Sequence, residues 1–415
     1  MSRRPTAAMM PELELSQEDV EELKVLGSEL RHEVLTQYED FVFNQQRQVD
    51  KSRWKFVRSQ EDVHVYRERD DAKSSDRSFD PLDSFSHTRS TAMEIGPMAA
   101  MAANSEMPVM MVTGTLPGTI DDARYGSTFH DTASLRQRSV YMNEYMEDCA
   151  VLQVIESPTH DEPLDFMGVI WYLKAFPFGL SSVMRCRDAL TFCHMHSTTL
   201  RSGERVGVNL YHSIQHRALP EFTEMNVLRA QVSLVVIFRQ LEAQKVEVFM
   251  MNFLDPLGHL SEMIVVPEAS KTLLAITNTC DTAQRRKLRW LVRERRRQLM
   301  KDRQTEGYVE PEARDCCVVC EKQLGGIFSS SGTICQLCRE RVCSRCTVPR
   351  KLVLSASSMN LDMKAIDFCL ACTMEVKRIP AREVAQRELE EQQHAAARES
   401  RVVRESDDLL RSISM

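Results

Sequence analysis

The sequence predicts an α+β protein: an antiparallel sheet domain that ends in a long helix, followed by a small cysteine-rich domain. Runs in which apolar and polar residues alternate, most regularly in residues 228–239, are typical of strands with one buried face. From Glu268 to about Met300 the apolar residues instead recur at helical spacing. Nine of the thirteen cysteines then lie between Cys316 and Cys372. These patterns indicate two kinds of domain in one chain.

The composition is that of a globular protein. The 415 residues are 43% hydrophobic and 27% charged, with a formal net charge of -7, and this acidic balance argues against general nucleic-acid binding. No run of apolar residues is long enough to span a membrane, and the N-terminal Met1-Ser-Arg-Arg-Pro is not followed by the apolar core of a signal peptide. We therefore expect a reduced, cytoplasmic protein without nucleic-acid partners, whose membrane association is at most peripheral.

Local sequence patterns predict an N-terminal helical segment followed by the sheet domain. Residues 1–53 are a predicted N-terminal helical segment, in which Ser16 and Asp19 have the spacing of a capping box. Residues 54–303 are the predicted sheet domain, which begins with a strand in residues 54–69. The segment of about 70–104 is rich in Ser, Asp, Ala and Met without a clear period, and it is predicted to be a flexible insertion.

The remaining segments follow in order. A helical segment near 120–136 precedes the other predicted strands, which fall in residues 151–155, 166–173, 206–214, 228–238 and 246–253. Short separations between them favour antiparallel hairpins. Residues 304–315 are a predicted linker and 316–376 the cysteine-rich domain. Residues 377–415 are a charged tail with isolated apolar residues, predicted to be helical or disordered.

Eight cysteines form a metal-binding pattern of four Cys-x-x-Cys pairs. The pairs are Cys317/Cys320, Cys335/Cys338, Cys343/Cys346 and Cys369/Cys372. Each pair can direct two sulfurs at one ion from a tight turn, so four pairs make two tetrahedral sites. Four thiolates leave no open position, which predicts two structural Zn2+ ions and no catalytic metal. Ordinary reduced cysteines or a disulfide framework are disfavoured by the regular spacing, and Cys316 is predicted not to be a ligand because it breaks that spacing.

The spacing between pairs favours an interleaved arrangement. Only four residues separate Cys338 from Cys343, which leaves little room for two zinc ribbons in sequence. A cross-brace then places the first and third pairs (Cys317, Cys320, Cys343, Cys346) on one ion and the second and fourth (Cys335, Cys338, Cys369, Cys372) on the other. The close second and third pairs and the Phe-Cys-Leu-Ala-Cys ending at Cys372 resemble the FYVE zinc finger. A RING finger would carry a central histidine, and no histidine lies between His259 and His394.

The FYVE resemblance implies binding of phosphatidylinositol 3-phosphate, but this chain departs from the family's lipid-contacting motifs. The basic run before the second pair is replaced by Ser331-Gly-Thr-Ile-Cys-Gln336, and no tryptophan leads into Cys317. Five basic residues are the remaining candidates for lipid or phosphate contact: Arg339, Arg341, Arg345, Arg350 and Lys351. A zinc finger that contacts a protein partner is the competing interpretation.

The sheet domain resembles START-like domains of the helix-grip fold. The resemblance is carried by residues 54–69, by Gly114-Thr-Leu-Pro-Gly-Thr119, by Asp165-Phe-Met-Gly-Val-Ile-Trp-Tyr-Leu173 and by Arg185-Cys-Arg-Asp188. Together with the zinc finger, this order is similar to the START/FYVE-type proteins of oomycetes. The resemblance implies a cavity for one lipid or other hydrophobic ligand. Large side chains are equally able to fill the interior: Trp171, Phe176, Phe178, Phe238 and Phe253.

Several further features are weighed against ordinary structural roles. His194 and His196 share a strand face, for which a polar surface is favoured over a metal site. Asp188 beside Arg185 and Arg187 is interpreted as a local ion pair. Residues 281–303 hold ten Lys or Arg against three acids, together with Trp290, and suggest a helix on an anionic membrane or a solvated basic face.

The sequence supports three hypotheses for function. The leading hypothesis is a non-enzymatic lipid-binding protein. Its START-like module would hold a lipid or other hydrophobic ligand, and its structural zinc finger would target it peripherally to a phosphoinositide-containing membrane. The second is an adaptor with a filled core and a protein partner. The third, a RING-like ubiquitin ligase, is disfavoured by the missing central histidine.

In the leading hypothesis the protein is cytoplasmic and binds peripherally to the endosomal membrane. Its partners would be a lipid or other hydrophobic ligand in the START-like module and an anionic membrane surface at the zinc finger. The missing basic run before Cys335 favours the adaptor hypothesis, in which the finger binds a protein instead of a phosphoinositide.

Overall fold

The computed structural model describes residues 4–70, 96–175, 185–305, 315–325, 332–353, 361 and 363–394. Contacts divide the chain into two compact units, with the division falling between Thr282 and Ala283; residues 158–164 also belong to the second unit. The predicted domain boundaries at residues 53, 303, 315 and 376 stay predictions. Among the described residues, no helix combines the length and apolar character needed to cross a membrane.

The first unit contains a ten-stranded sheet and the helices that cover it. The helices are α1 Gln17–Glu39, α2 Pro97–Ala103, α3 Ile120–Ser127, α4 Thr132–Met142, α5 Glu262–Leu273 and the first residues of α6 Thr279–Gln304. The strands are β1 Trp54–Gln60, β2 Val63–Glu68, β3 Met110–Pro117, β4 Met146–Glu156, β5 Phe166–Lys174, β6 Cys186–Thr199, β7 Arg205–Ser213, β8 Val227–Arg229, β9 Gln231–Glu242 and β10 Lys245–Asp255.

The sheet is antiparallel apart from one short strand. Its order is β1-β2-β3-β10-β9-β7-β6-β5-β4, and β8 pairs in parallel with β6. The predicted hairpins are present, since β4 to β7 and β9 to β10 pair in sequence order. Residues 54–69 form two strands instead of the single predicted one, because the chain turns at Glu61, whose φ is 52°. The predicted class is confirmed: helix, large antiparallel sheet and long C-terminal helix.

Helix α1 begins as the sequence predicts. The Ser16 hydroxyl accepts a hydrogen bond from the Asp19 amide at 3.1 Å, and the Asp19 carboxylate accepts one from the Ser16 amide at 2.8 Å. The buried stripe of α1 then packs on one face of the sheet, which we call the α1 face. Its apolar cluster includes Leu30, Val34 and Tyr38 from the helix.

Two separate apolar clusters cover the opposite face, which we call the α5 face. One joins α5 and the following turn to β2, β3, β9 and β10; the other joins α4 to β4, β5, β6 and β7. Helix α2 lies at the end of the segment predicted to be a flexible insertion, and it begins where the Glu33 carboxylate accepts hydrogen bonds from the Met98 and Ala99 amides, each at 3.0 Å. Residues 71–95 of that segment lie outside the described residues.

The long helix predicted from Glu268 to Met300 is interrupted. A 3-10 turn, Leu274–Asn278, separates α5 from α6. The Thr277 hydroxyl donates to the Leu274 carbonyl at 2.9 Å and the Thr279 hydroxyl to the Ile276 carbonyl at 2.6 Å. Such side-chain bonds compete with the helical ladder, and the apolar spacing alone does not reveal them. The helix predicted at 120–136 is similarly divided, because Asp131 caps α4 and ends the connection from α3.

The second unit contains most of α6, four short strands and two more helices. The strands are β11 Thr333–Ile334, β12 Arg341–Val342, β13 Thr347–Val353 and β14 Met363–Cys369; the helices are α7 Leu370–Arg378 and α8, residues 381–394. Strand β11 pairs with β12, and β13 with β14. Helix α8 lies in the predicted charged tail, and its apolar residues are buried: Ala381, Val384, Ala385 and Leu389. They recur at spacings of three, one and four residues, a stripe that two alanines complete.

Candidate metal centres and ligand face

The eight cysteines of the four pairs form two clusters in the second unit. Cys317, Cys320, Cys343 and Cys346 make one group, and Cys335, Cys338, Cys369 and Cys372 make the other. Within each group the sulfur atoms lie within 4.8 Å of one another. This is the interleaved grouping that the spacing predicted, in which the first pair joins the third and the second joins the fourth. Each group could hold a metal ion.

The separations between sulfurs fit a tetrahedral ion. Cys320 Sγ lies 3.7 Å from Cys343 Sγ, and Cys338 Sγ lies 4.0 Å from Cys369 Sγ. Four sulfurs at the usual zinc–sulfur distance of about 2.3 Å would be about 3.8 Å apart in a regular tetrahedron. The donor set is entirely thiolate, which suits zinc and leaves no position for a substrate.

Hydrogen bonds stabilise the thiolate of one candidate ligand, Cys335. The Cys372 thiol and the amides of Cys338, Cys369 and Leu337 donate to Cys335, and together they lower the pKa of Cys335 to about 4. The amide of Cys372 donates to Cys369 Sγ at 3.3 Å. Amides that point at sulfur stabilise the thiolate, which is the form that binds a metal.

Cys316 lies outside both clusters. Its backbone forms an isolated bridge with Gln323, and its side chain is half-buried. The neighbouring Cys317 is fully buried in the apolar cluster that surrounds the metal ligands. Adjacent residues of an extended segment face opposite ways, which separates the two thiols.

The five basic residues predicted to contact lipid or phosphate are only partly available. Arg339, Arg345 and Lys351 are exposed, whereas Arg350 is half-buried. The Arg341 guanidinium donates to the Asp315 carboxylate at 3.1 Å. Three of the five predicted contact residues are therefore exposed, and no described pocket gathers all five.

The basic stretch of α6 is not the exposed membrane helix that its composition suggests. Trp290 is only 5% exposed, and its indole N–H donates to the Glu391 carboxylate at 3.1 Å. Arg293 donates to the same carboxylate at 2.9 Å. Because the partner helix α8 is remote in sequence, the composition of α6 alone could not reveal this cover.

The α5 face of the sheet has a seam between its two apolar clusters. It is lined mainly by small or half-buried residues, and we call this set the central seam: Tyr172, Ala189, Thr191, Ser213, Ala230, Val232, Leu234 and Leu254. Strand register places them side by side, since Tyr172 is opposite Ala189, Thr191 opposite Ser213, and Val232 opposite Leu254. Leu234 contacts the edge of both clusters.

The central seam combines buried and half-buried side chains. Tyr172, Ser213, Leu234 and Leu254 are half-buried although they lie on interior strands. Burial nevertheless raises the pKa of Tyr172, so the ring is surrounded by protein. At one side, the Lys174 ammonium donates to the Thr272 hydroxyl of α5 at 2.8 Å. Small and apolar side chains of this kind predominate in the walls of sites that hold a hydrophobic ligand.

The aromatic residues predicted to fill the interior are divided between the two faces. Trp171 and Phe253 belong to the α1-face cluster, and Phe238 belongs to the α5-face cluster that includes β10. None of these three lines the central seam. Phe176 and Phe178 lie outside the described residues.

The predicted ion pair of Asp188 has a different partner. Its carboxylate accepts hydrogen bonds from Arg229 Nη2 at 2.7 Å and from the Trp171 indole at 2.9 Å. Arg187 instead donates to the carbonyls of Pro256 and Leu257, each at 3.0 Å. The predicted ion pair of Asp188 with the arginines beside it in sequence was wrong, because adjacent side chains of a strand, such as Arg187 and Asp188, point to opposite faces.

His194 and His196 form a stacked pair and not a polar surface, with His196 buried and His194 half-buried. Their rings stack with centroids 4.1 Å apart beneath α1, and Arg31 Nη1 lies 3.3 Å from His196 Nε2. Gly27 permits this close approach, because a Cβ there would lie 3.1 Å from the Phe192 ring. Within the described part of the chain, no third ligand joins the two histidines in a metal-binding group. The covering helix is remote in sequence, so the strand pattern could not predict their burial.

We expect these histidines to make stability depend on pH. Burial lowers the pKa of His194 from 6.5 to about 4 and that of His196 to about 2. Both histidines stay neutral in the folded chain, while the same side chains take up protons in the unfolded chain. Their contribution to the free energy of unfolding is therefore fully present above pH 6.5 and is lost as the pH falls toward 4. The loss is up to about 1.4 kcal/mol per pH unit for each histidine.

Urea unfolding at pH 7 and at pH 5 measures this dependence. His196→Gln should reduce the difference between the unfolding free energies at pH 7 and pH 5. His32→Gln, at an exposed position of α1, should leave that difference unchanged. An equal pH dependence in the wild type and His196→Gln would contradict the assignment.

Comparisons with known proteins find similar chains only among solved structures. No protein-family model and no curated protein matches the chain. Among solved structures it is similar to human StAR-related lipid transfer protein 5, with 13% identity, a TM-score of 0.37, and coverage of 60% of this chain and 95% of the other. It is also similar to a STAR-related lipid transfer protein fragment from Xanthomonas axonopodis, with 10% identity, a TM-score of 0.34, and coverage of 55% and 96%. Similarity at this level does not establish what the chain binds.

Sequence reasoning missed the residues that depend on distant partners. The central seam includes Ala189, Thr191 and Ser213, whose side chains gave no signal by themselves. Lys174 and Glu391 were also missed, because each is hydrogen-bonded to a helix far away in sequence. A search for small residues at alternate positions of neighbouring strands would have found the seam.

Proposed function

We propose that the protein is a non-enzymatic lipid-binding protein with a structural zinc finger. The sheet domain would hold one lipid or other hydrophobic molecule in the central seam, and the finger would support peripheral association with the endosomal membrane from the cytoplasm. The observation that supports this proposal is the strip of small and half-buried side chains between two separate apolar clusters on one face of the sheet.

The seam suits a ligand because two leucines on central strands keep part of their surface exposed. Protein interiors are normally close-packed, and voids larger than a water molecule are few. Here Leu234 and Leu254 remain half-buried on central strands, next to residues as small as Ala189 and Ala230. A hydrophobic molecule placed along the strip would bury these side chains and gain the free energy of removing apolar surface from water.

Enlarging a seam residue should block ligand binding without unfolding the domain. Leu234→Trp is expected to change the unfolding free energy of the ligand-free protein by less than about 1 kcal/mol, because the extra atoms enter the seam. The same protein should lose the lipid that co-purifies with the wild type. Chemical denaturation and native mass spectrometry measure the two effects.

Val236→Trp is the matched control, two residues along the same strand and facing the same way. Val236 is 4% exposed within a packed cluster, so this larger side chain should destabilise the protein by about 1–3 kcal/mol. Equal destabilisation by both tryptophans would show that the seam is filled, which is the result that the adaptor hypothesis predicts. The absent basic run before Cys335 is the sequence feature that favours that second function.

The proposed membrane contact uses the exposed cations of the finger. Each Lys or Arg near an anionic surface contributes about fivefold to binding. Arg345→Gln with Lys351→Gln is therefore expected to weaken binding to vesicles containing phosphatidylinositol 3-phosphate by roughly 25-fold. Vesicle sedimentation measures the change.

Lys55→Gln with Arg58→Gln removes the same charge from exposed positions of β1 and serves as the control. If both double variants bind as the wild type does, the finger has no part in membrane contact. Failure of the wild-type protein to sediment with any vesicle would end the membrane part of the proposal and leave the ligand seam to its own test.

A further inference from the structure

Helix α6 presents two different stripes within the second unit. One stripe, which includes Leu288, Leu291 and Val292, packs on the finger cluster that contains the metal ligands. The other combines an aromatic residue with three arginines at spacings of four, three and four residues: Arg286, Trp290, Arg293 and Arg297. Residues at these spacings lie along one side of a helix. We call this second set the basic stripe.

Helix α8 lies against the basic stripe and covers part of it: Arg286 and Trp290 are buried, whereas the side chains of Arg293 and Arg297 stay 40% and 46% exposed. The Glu391 carboxylate accepts hydrogen bonds from Trp290 at 3.1 Å and from Arg293 and Arg297, each at 2.9 Å. Glu388 lies 3.7 Å from Arg286. The same carboxyl group of Glu391 thus meets two guanidinium groups and an indole N–H, a set of donors that would bind any anionic group of similar size.

The electrostatics confirm that the stripe favours an anion. Burial acts to raise the pKa of Glu391, but the hydrogen bonds and charges of Arg297 and Arg293 outweigh it and lower the pKa. The described part of α8 is residues 381–394, and an isolated helix of about this length is marginal in water. Its contacts with α6 therefore contribute to holding it in place.

We propose that the basic stripe is a binding surface for an anionic lipid bilayer and that α8 covers it as a built-in competitor. The stripe runs along one side of a helix, which matches a planar surface better than a compact ligand. Arginines with a tryptophan among them are typical of helices that lie at the interface of anionic membranes. Glu388 and Glu391 occupy the places that lipid phosphates or carboxylates take after α8 is released.

This proposal shares with the proposed function only the choice of a membrane as partner. It does not use Arg345 or Lys351, so their variants leave it standing. The two surfaces can consequently fail or succeed separately.

The test compares the wild type with a double variant that carries both Glu388→Gln and Glu391→Gln. Binding is measured by sedimentation with vesicles of phosphatidylcholine alone and of equal parts phosphatidylcholine and phosphatidylserine. Hydrogen exchange of residues 381–394 reports release of α8. The double variant should show faster exchange in α8 and at least a tenfold increase in binding to the phosphatidylserine vesicles, without binding to phosphatidylcholine alone.

Two further variants isolate the cause. Glu383→Gln removes one charge at an exposed position of α8 and should behave as the wild type. Adding Arg293→Gln and Arg297→Gln to the double variant should abolish the gain in vesicle binding, since each arginine contributes about fivefold.

Several results would overturn the proposal. Released α8 without increased vesicle binding would show that the stripe does not bind lipid, and unchanged exchange would show that the two carboxylates do not hold the cover. Equal binding to phosphatidylcholine alone would point to exposed apolar surface. Binding of polyglutamate but not of vesicles would make an acidic protein the partner instead of a membrane.

Discussion

Cys343→Ser is expected to unfold the zinc finger and to release metal from the protein. Structural zinc sites contribute roughly 10–16 kcal/mol to folding in zinc-finger peptides, whereas whole domains are stable by only about 5–15 kcal/mol. Cys343 belongs to the group with Cys317, Cys320 and Cys346, and serine supplies no thiolate in its place. Bound zinc should fall from two ions per chain to one or none.

Cys316→Ser provides the matched control, because Cys316 lies in the same segment but outside both groups. It should retain two zinc ions and the thermal unfolding of the wild type. Metal analysis with circular dichroism separates the two variants. If Cys343→Ser also abolishes the unfolding transition of the sheet domain, the predicted boundary near residue 304 is wrong. If Cys343→Ser keeps two ions, the metal assignment itself is wrong.

Asp188→Asn is expected to destabilise the sheet domain by about 3–5 kcal/mol. The Asp188 side chain is 0% exposed and that of Arg229 is 8% exposed, and breaking a buried pair leaves one charge without compensation. Trp171 loses a charged acceptor in the same change. For a domain of this size the melting temperature should fall by roughly 10 °C.

Asp62→Asn makes the same chemical change at an exposed position next to β2, and it should alter stability by no more than about 0.5 kcal/mol. Calorimetry of both variants, with zinc present, measures the difference. A melting temperature of Asp188→Asn equal to that of the control would show that the Asp188–Arg229 pair is not held as the structure has it.

The grouping of the eight cysteines was predictable because it depends on local spacing. Four Cys-x-x-Cys pairs need only their own turns, and the four-residue gap between Cys338 and Cys343 already favours the interleaved grouping. The antiparallel sheet was predictable for a similar reason, since each strand carries its own alternation. The Ser16 and Asp19 capping box likewise uses residues three positions apart.

The features that were missed depend on contacts between distant segments. Burial of His194 and His196 requires α1, and the break at Leu274–Asn278 depends on hydroxyls that an apolar pattern ignores. The stripe of α8 was overlooked because alanines supply half of it. The central seam is a property of five strands in register, so no single run of residues encodes it.

Native mass spectrometry of the full-length protein purified from cells, read for metal and lipid together, tests the central claim most directly. We predict two zinc ions and one co-purified lipid on the wild type, with the lipid absent from Leu234→Trp. Two zinc ions without lipid, even after incubation with a lipid extract, would contradict the ligand seam and favour the adaptor. A protein with lipid but without zinc would contradict the metal centres.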